Sequence, residues 1–477
     1  MRRPAHSNPS RRELLRRGGL GAFGFLGGSN LVAGLLPQAV AAEPQAPRYP
    51  GFGRAKSVIF VYCCGGQSQL EMWDPKPDAP ETVRGAFGTI PTAVPGLHLG
   101  EHLPRVAKVA DRFTIVRSMS HDDLDHGSAT YLTLTGKYHR TISGNPPPMP
   151  IDEPTLGSVL RAARPTDRFP YDAVHLNAPL LSPRQPSAGQ QAGLLGEKYE
   201  PMVLGNVTSQ AMPLPELAPL PDLNGSRMHD RQSLKAALDG YTRQLADDPR
   251  VRHSNTQYAQ ALALLDRPQS RAAFDIAAEP DAVRDRYGRN QSGQALLLAR
   301  RLVEAGLPLV TVFWSPSNRG QDDEPTKTDA YGWDTHNDIF DALKTHLLPR
   351  FDLGFSALIE DLEQRGLLDS TLVVCAGEFG RAPLVALERN FAGSSPGRKH
   401  WANAYSIVLA GAGVGRGHIV GATDRLGGRP EGRRYGPWDL AATIFSALGI
   451  DPAGHYVDPG GRPIPLSHGQ PIAGLYA

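Results

Sequence analysis

The stretch "STLVVCAGEFGRAP", Ser370–Pro383, sets the fold class. From Leu372 to Ala376 it is apolar without interruption, whereas a strand with one wet face would alternate apolar and polar residues. A run of this length rich in valine suits a strand buried on both faces. It stops at Gly377 and at once presents Glu378 and Arg381. Four more runs read the same way: "SVIFVYCC" (57–64) into "GGQSQLEMWD", "FTIVRSMS" (113–120) into "HDDLDHGS", "LPLVTVFW" (307–314) into the loop carrying "YGWDTHND" (331–338), and "YSIVLA" (405–410) into "GAGVGRG".

Between these runs the period changes to that of helices. "SGQALLLARRLVEAG" (292–306) places Leu298, Leu302 and Ala305 on one face, with Gly306 as a stop. Ile339, Leu343, Leu347, Phe351, Phe355, Leu358 and Leu362 recur at steps of three or four, a long stripe that Pro349 should kink or divide. "GPWDLAATIFSALGID" (436–451) has Pro437 near its start and Gly449 after its end. Strand, loop, helix, strand implies an α/β fold with a mainly parallel central sheet flanked by helices, whose ligands bind beyond the carboxyl ends of the strands. A Pro-rich and charged region, about 176–285, reads as an inserted cap on that sheet.

The formal charge of +2 over 477 residues hides an asymmetry. Residues 1–42 carry six Arg and one Glu, so the remainder has 44 bases against 47 acids, and no basic nucleic-acid-binding surface is implied. Paired Arg11 and Arg12, a weakly hydrophobic Gly-rich run and an Ala-rich end make residues 1–42 resemble a twin-arginine signal peptide, with residues 43–477 as the exported domain. The expected location is periplasmic or extracellular. No other segment offers the roughly 18 apolar residues of a membrane span. Cys63, Cys64 and Cys375 lie in apolar runs and read as buried thiols, not as a disulfide framework or a zinc spacing.

Acids and imidazoles gather where the strands end. The set is Glu71, the segment His121–Ser128 with Asp125, His126 and Ser128, then Asp334 and His336, Glu378 with Arg381, and His400. Carboxylates with imidazoles suit a divalent metal, which can polarise an ester oxygen and activate water. Arg381 offers a planar fork for an oxyanion or a brace for Glu378. Each residue also has a structural alternative: Asp334 as a helix cap, Glu378 and Arg381 as an ion pair, His400 as packing beside Trp401. Asp338 reads as a first-turn residue favoured by the helix dipole. "SSPGR" (394–398) fits a sulfatase-type C/S-x-P-x-R pattern formally but lies too late in the chain and reads as an ordinary loop. No G-x-S-x-G elbow occurs, and the glycines of "GAGVGRG" lack the acidic residue of a dinucleotide fingerprint.

The motifs "GG-x-S-x-L-E-x-W-D-P-K-P", "HDDLDHGSATYLTLTG", "GWDTHNDIFDALKTHLLPRFD", "GEFGRAP", "HWANAYSIVLAGAGV" and "DLAATIFSALGIDP", in this order, resemble a secreted sulfatase-like family called domain of unknown function 1501. That family is placed in the alkaline phosphatase and sulfatase superfamily. The resemblance runs from about Lys56 to the carboxyl terminus and is weakest between 180 and 280. It implies an alkaline phosphatase-like sheet with one or two metals above it. By the same resemblance Asp334, His336, Glu378 and His400 hold metal, and Glu71, with Asp74 as the alternative, supplies the acid after the first strand. Asp125 completes the metal site. The nucleophile position is open between Ser128, His126 and direct attack of water, because counting back from Gly136 puts the superfamily's nucleophile at His126.

The resulting expectation is an exported hydrolase of a phosphate or sulfate ester, small or polymeric, using a divalent metal. Zinc is the first choice, with manganese, calcium or magnesium as alternatives. The competing expectation is a non-catalytic, metal-stabilised binding or structural protein of the cell envelope.

Overall fold

The computed structural model describes residues 49–208, 267–319 and 326–476. The proposed signal peptide lies outside the described residues, as does 209–266 of the proposed cap. Eight strands form the central sheet: β1 Ser57–Tyr62, β2 Phe113–Met119, β3 Ala173–Leu176, β4 Met202–Leu204, β5 Leu309–Phe313, β6 Thr371–Ala376, β7 Tyr405–Ala410 and β8 His418–Val420. Their order across the sheet is β8-β2-β7-β6-β1-β5-β3-β4. All but β7 run the same way; β7 is antiparallel to both β6 and β2. Met202–Leu204, inside the region read as a cap, thus supply an edge strand of the main sheet.

Every residue of β1, β5, β6 and β7 is buried, as the unbroken apolar runs require. Alternate residues go to opposite faces. Ile59, Val61, Val310, Val373 and Cys375 meet helix α3 (Gln291–Glu304) and helix α4 (Leu348–Gln364) on one side. Val58, Phe60, Leu309, Leu372 and Val374 meet helix α2 (Leu156–Ala163) and helix α5 (Pro437–Ala447) on the other, along with Leu134 of helix α1 (His126–Thr135).

Pro349 neither breaks nor sharply ends the long stripe. An α-turn, Ile339–Ala342, passes into a π-helical turn, Leu343–Leu347, and then directly into α4, with Pro349 in its first turn. The wider turn absorbs the hydrogen bond that proline cannot make, so the apolar stripe stays continuous.

The reversal of β7 corrects one expectation. "GAGVGRG" follows β7 and therefore lies at the amino edge of the parallel strands, where a Cβ on Gly411 would meet the carbonyls of Leu368 and Thr371. The amino end of β7 lies at the opposite edge, so His400 enters the site from ahead of a strand, not after one. Among the described residues no helix is long and apolar enough to cross a membrane.

Candidate metal centre

Four side chains converge at the carboxyl edge of the sheet. His126 opens α1 after β2, Asp334 and His336 come from the long loop after β5, and His400 precedes β7 in a short antiparallel pairing of His400–Trp401 with Gly380–Arg381. One ligand atom from each lies within 4.8 Å of all the others. Asp334 sits among the three rings: its Oδ2 is 3.0 Å from His126 Nε2, and its Oδ1 is 3.0 Å from His336 Nε2 and 3.3 Å from His400 Nε2. Gly65 makes this possible, since at φ +104° it lies against the loop and a Cβ there would be 2.4 Å from the Asp334 nitrogen.

Each imidazole is gripped from behind through Nδ1. His126 Nδ1 is 2.6 Å from Glu378 Oε1, His336 Nδ1 is 3.0 Å from Glu388 Oε2, and His400 Nδ1 is 2.7 Å from the Leu124 carbonyl. These partners accept, so each ring donates through Nδ1 and points Nε2 into the centre, the orientation of metal-bound histidines once any proton on Nε2 has left. His336 Nε2 and His400 Nε2 are 2.8 Å apart. Two facing lone pairs at that distance require a cation between them, either a proton or a metal. These separations, 2.8–3.3 Å, lie at or just below the roughly 3.3 Å between ligand atoms of a tetrahedral ion with bonds of about 2.0–2.1 Å. Three imidazole nitrogens with one carboxylate oxygen therefore fit a zinc-type ion.

The electrostatics favour a cation at the same point. Burial opposes a proton on His126, but Asp334 and Glu378 outweigh it and hold the ring up at about 9. Burial would raise Asp334, yet His126 and Arg381 keep it well below the usual carboxylate range. His400 is pushed down to about 3, by burial first and by neighbouring charged His126 second. A metal would compete with the proton that His126 otherwise holds. His126, Asp334 and His336 are buried, whereas the His400 side chain is 19% exposed and opens the centre to solvent.

The remaining candidates stand elsewhere. Glu378 orients His126 and also accepts from Gly65 N at 2.8 Å, both through Oε1, and it is not one of the four residues of the group. Arg381 is fully buried, spends its donors on the Gly65, Gly66 and Arg398 carbonyls, and meets Asp334 Oδ1 at 2.7 Å. It braces Asp334, not Glu378, and presents no face to an oxyanion. Glu71 is locked in a buried ion pair with Arg398, Nη2 to Oε1 2.6 Å, and takes a further bond from Ser68. The alternative, Asp74, pairs with Lys76 and Arg117 at 3.1 Å each. Asp125 is the N-cap residue of α1, where its carbonyl accepts from Ala129 N, and its side chain is not in the four-residue group. Ser128 donates to Asp123 Oδ1 at 2.8 Å and accepts from Gly144 N at 3.2 Å. Two helix positions past His126 is about 200° of rotation, so the hydroxyl faces away from the ring that enters the centre.

Residues 55–476 match the family model described as "Protein of unknown function (DUF1501)". The chain belongs to this family. Comparison with curated proteins finds no match. Among solved structures, the DUF1501 chain is similar to a phosphonate monoester hydrolase from Silicibacter pomeroyi, with 14% identity over 88% of this chain and 76% of that one and a TM-score of 0.41. It is also similar to a sulfatase from Pseudoalteromonas sp., with 14% identity, 83% and 68% coverage and a TM-score of 0.36. The alkaline phosphatase of the Antarctic bacterium TAB5 matches with 11% identity, 83% and 98% coverage and a TM-score of 0.37.

Glu388 is the residue that sequence reasoning missed in this DUF1501 domain. It lies in "LVALERNFAG", a loop with no strand ahead of it and no spacing to a partner. Phe391 of the same loop stacks on His336 with ring centroids 3.7 Å apart. The formal sulfatase-type match is also part of this loop: Ser394 and Ser395 bind Asp338, and Arg398 binds Glu71.

Proposed function

We propose that this protein is an exported, metal-dependent hydrolase of a phosphate or sulfate ester. The observation that carries the proposal is the buried His126–Asp334–His336–His400 group at the carboxyl edge of a mostly parallel sheet, open to solvent through His400. These four residues would hold the ion, zinc first by its donor set, and the ion would supply Lewis-acid polarisation of the ester oxygen. Glu378 and Glu388 fix the rings of His126 and His336, and Arg381 fixes the Asp334 carboxylate. Lys399, beside His400 and 68% exposed, pairs with Glu388 at 3.3 Å and adds positive charge at the rim of the centre. With Ser128 turned toward Asp123, the reading without a covalent serine intermediate is favoured.

A second reading rests on one observation: four protein ligands can close a tetrahedral zinc site, as structural sites do, leaving no position for substrate. The protein would then be a metal-stabilised binding or structural protein of the cell envelope. Metal analysis of the purified protein, followed by aryl phosphate, phosphodiester and aryl sulfate assays, separates the two. Metal with turnover supports the hydrolase, metal without turnover supports the second reading, and absence of any stoichiometric divalent ion defeats both. His336→Ala should lose the metal and any turnover with it.

A further inference from the structure

The acids and amides that follow His336 do work that neither a helix cap nor a ligand set explains. Asn337 is buried, and its carboxamide is spent entirely on the segment 382–399. Nδ2 donates to the carbonyls of Glu388 at 2.9 Å, Phe391 at 3.1 Å and Ala392 at 3.3 Å, and Oδ1 accepts from Glu388 N at 2.9 Å. Asp338 stands at φ +52°, and its carboxylate accepts from Ser394 N and from both N and Oγ of Ser395, the last two at 2.7 Å. Its own N–H donates to the Ser395 carbonyl at 2.9 Å. Gly393 and Gly397 pack so closely that a Cβ would come within 2.5 Å of Asp338 Oδ2 and 2.2 Å of the His336 carbonyl, respectively.

The clamped segment is a strap. It is folded on itself by paired hydrogen bonds between Ala386 and Gly397, and its far end is anchored where Arg398 meets Glu71. It delivers two parts of the centre: Glu388, which holds His336 Nδ1, and His400, two residues past Arg398. We infer that Asn337 and Asp338 are positioning residues that set metal affinity by clamping this strap, so that the second half of "DTHND" orients what the first half binds. The inference rests on the metal-binding reading above but not on turnover.

The mechanism makes a specific demand on a double-mutant cycle. Of the two parts the strap delivers, Asn337 grips Glu388 directly, through both its carbonyl and its N–H, so its removal should matter chiefly while Glu388 is there to be positioned. The measurement is the zinc dissociation constant of the full chain, by competition with a chromophoric chelator at fixed pH, alongside the chemical-denaturation midpoint of the metal-free protein. Asn337→Ala should weaken zinc about 10- to 100-fold, the range typical of partners behind a metal ligand. In the Glu388→Ala background the same substitution should add less than about threefold by that logic. Should Asn337→Ala fail to fold, Asp338→Gly removes the clamp at a position whose positive φ suits glycine, and should weaken zinc in the same way.

A merely structural role would lower the metal-free midpoint and leave the zinc constant alone; that outcome overturns the inference. So does an undiminished effect of Asn337→Ala when Glu388 is absent. A wild-type protein that binds no zinc overturns the inference together with the metal reading beneath it, whereas wild-type binding with unaffected variants defeats this inference alone.

Discussion

Glu71 and Glu378 show how much a single carboxylate depends on what stands behind it. Both are buried after central strands and both were candidate ligands, but each is committed to a cation or a ring before any metal is considered. For Glu71 the consequence is thermodynamic. Truncating it leaves the fully buried Arg398 guanidinium without its carboxylate, and breaking such a pair from one side costs about 3–5 kcal/mol. Glu71→Ala should therefore lower the unfolding free energy of the metal-free protein by that amount in a urea titration, whereas a ligand role would leave the metal-free protein almost unchanged. The gathering of His336, Asp334 and His400 was legible because each stood near a strand end with others of its kind. Glu378 was legible as a site residue but not as a brace, since only the 2.6 Å contact with His126 Nδ1 separates the roles. Glu388 was illegible because its partner is 52 residues away and no local pattern marks it.

At the scale of elements, β1, β2, β5, β6 and β7 were readable because burial leaves a largely apolar run, and β7 matches its run residue for residue, whereas the short β3, β4 and β8 were not read. Strand direction was not readable. "YSIVLA" would look the same parallel or antiparallel, and only pairing with β6 and β2 reverses it. The strap was invisible for a related reason: its order comes from hydrogen bonds to Asn337 and Asp338 and from tight glycine packing, none of which has a period. That packing supplies a prediction for the element. A methyl group at Gly397 would meet the His336 carbonyl at 2.2 Å, backbone that cannot move without displacing the ligand itself. Gly397→Ala should weaken zinc at least tenfold in the same chelator competition, by the scale set for disturbed ligand support. Gly366→Ala, with nothing within 4 Å of its added Cβ, should leave the zinc constant as it is and show only the backbone strain of its φ of +67° as a small loss of stability.

For the molecule as a whole, pH provides a test that does not involve the metal centre. His175 lies in the middle of β3, fully enclosed, with Phe313 against its ring and no hydrogen-bond partner on either nitrogen among the described residues. Burial alone pushes its pKa down to about 4, against about 6.5 in the unfolded chain. Above about 6.5 both states hold the ring neutral, and this residue costs nothing. As pH falls from there toward 4 the unfolded chain takes up a proton that the folded chain refuses, so stability declines; below 4 both are protonated and the loss levels off. At pH 4.5 the accumulated penalty is on the order of 2–3 kcal/mol. His175→Met keeps a similar volume in β3 and cannot titrate. Its advantage over wild type, measured by urea unfolding with a chelator present at both pH values, should grow by that amount between pH 7.5 and 4.5. The chelator keeps His126, His336 and His400 free of metal in both proteins, so their own titration cancels in the comparison. An advantage that stays constant across this range would mean that His175 meets a proton acceptor or solvent in the folded protein, and that the sheet is less closed at β3 than its buried strands indicate.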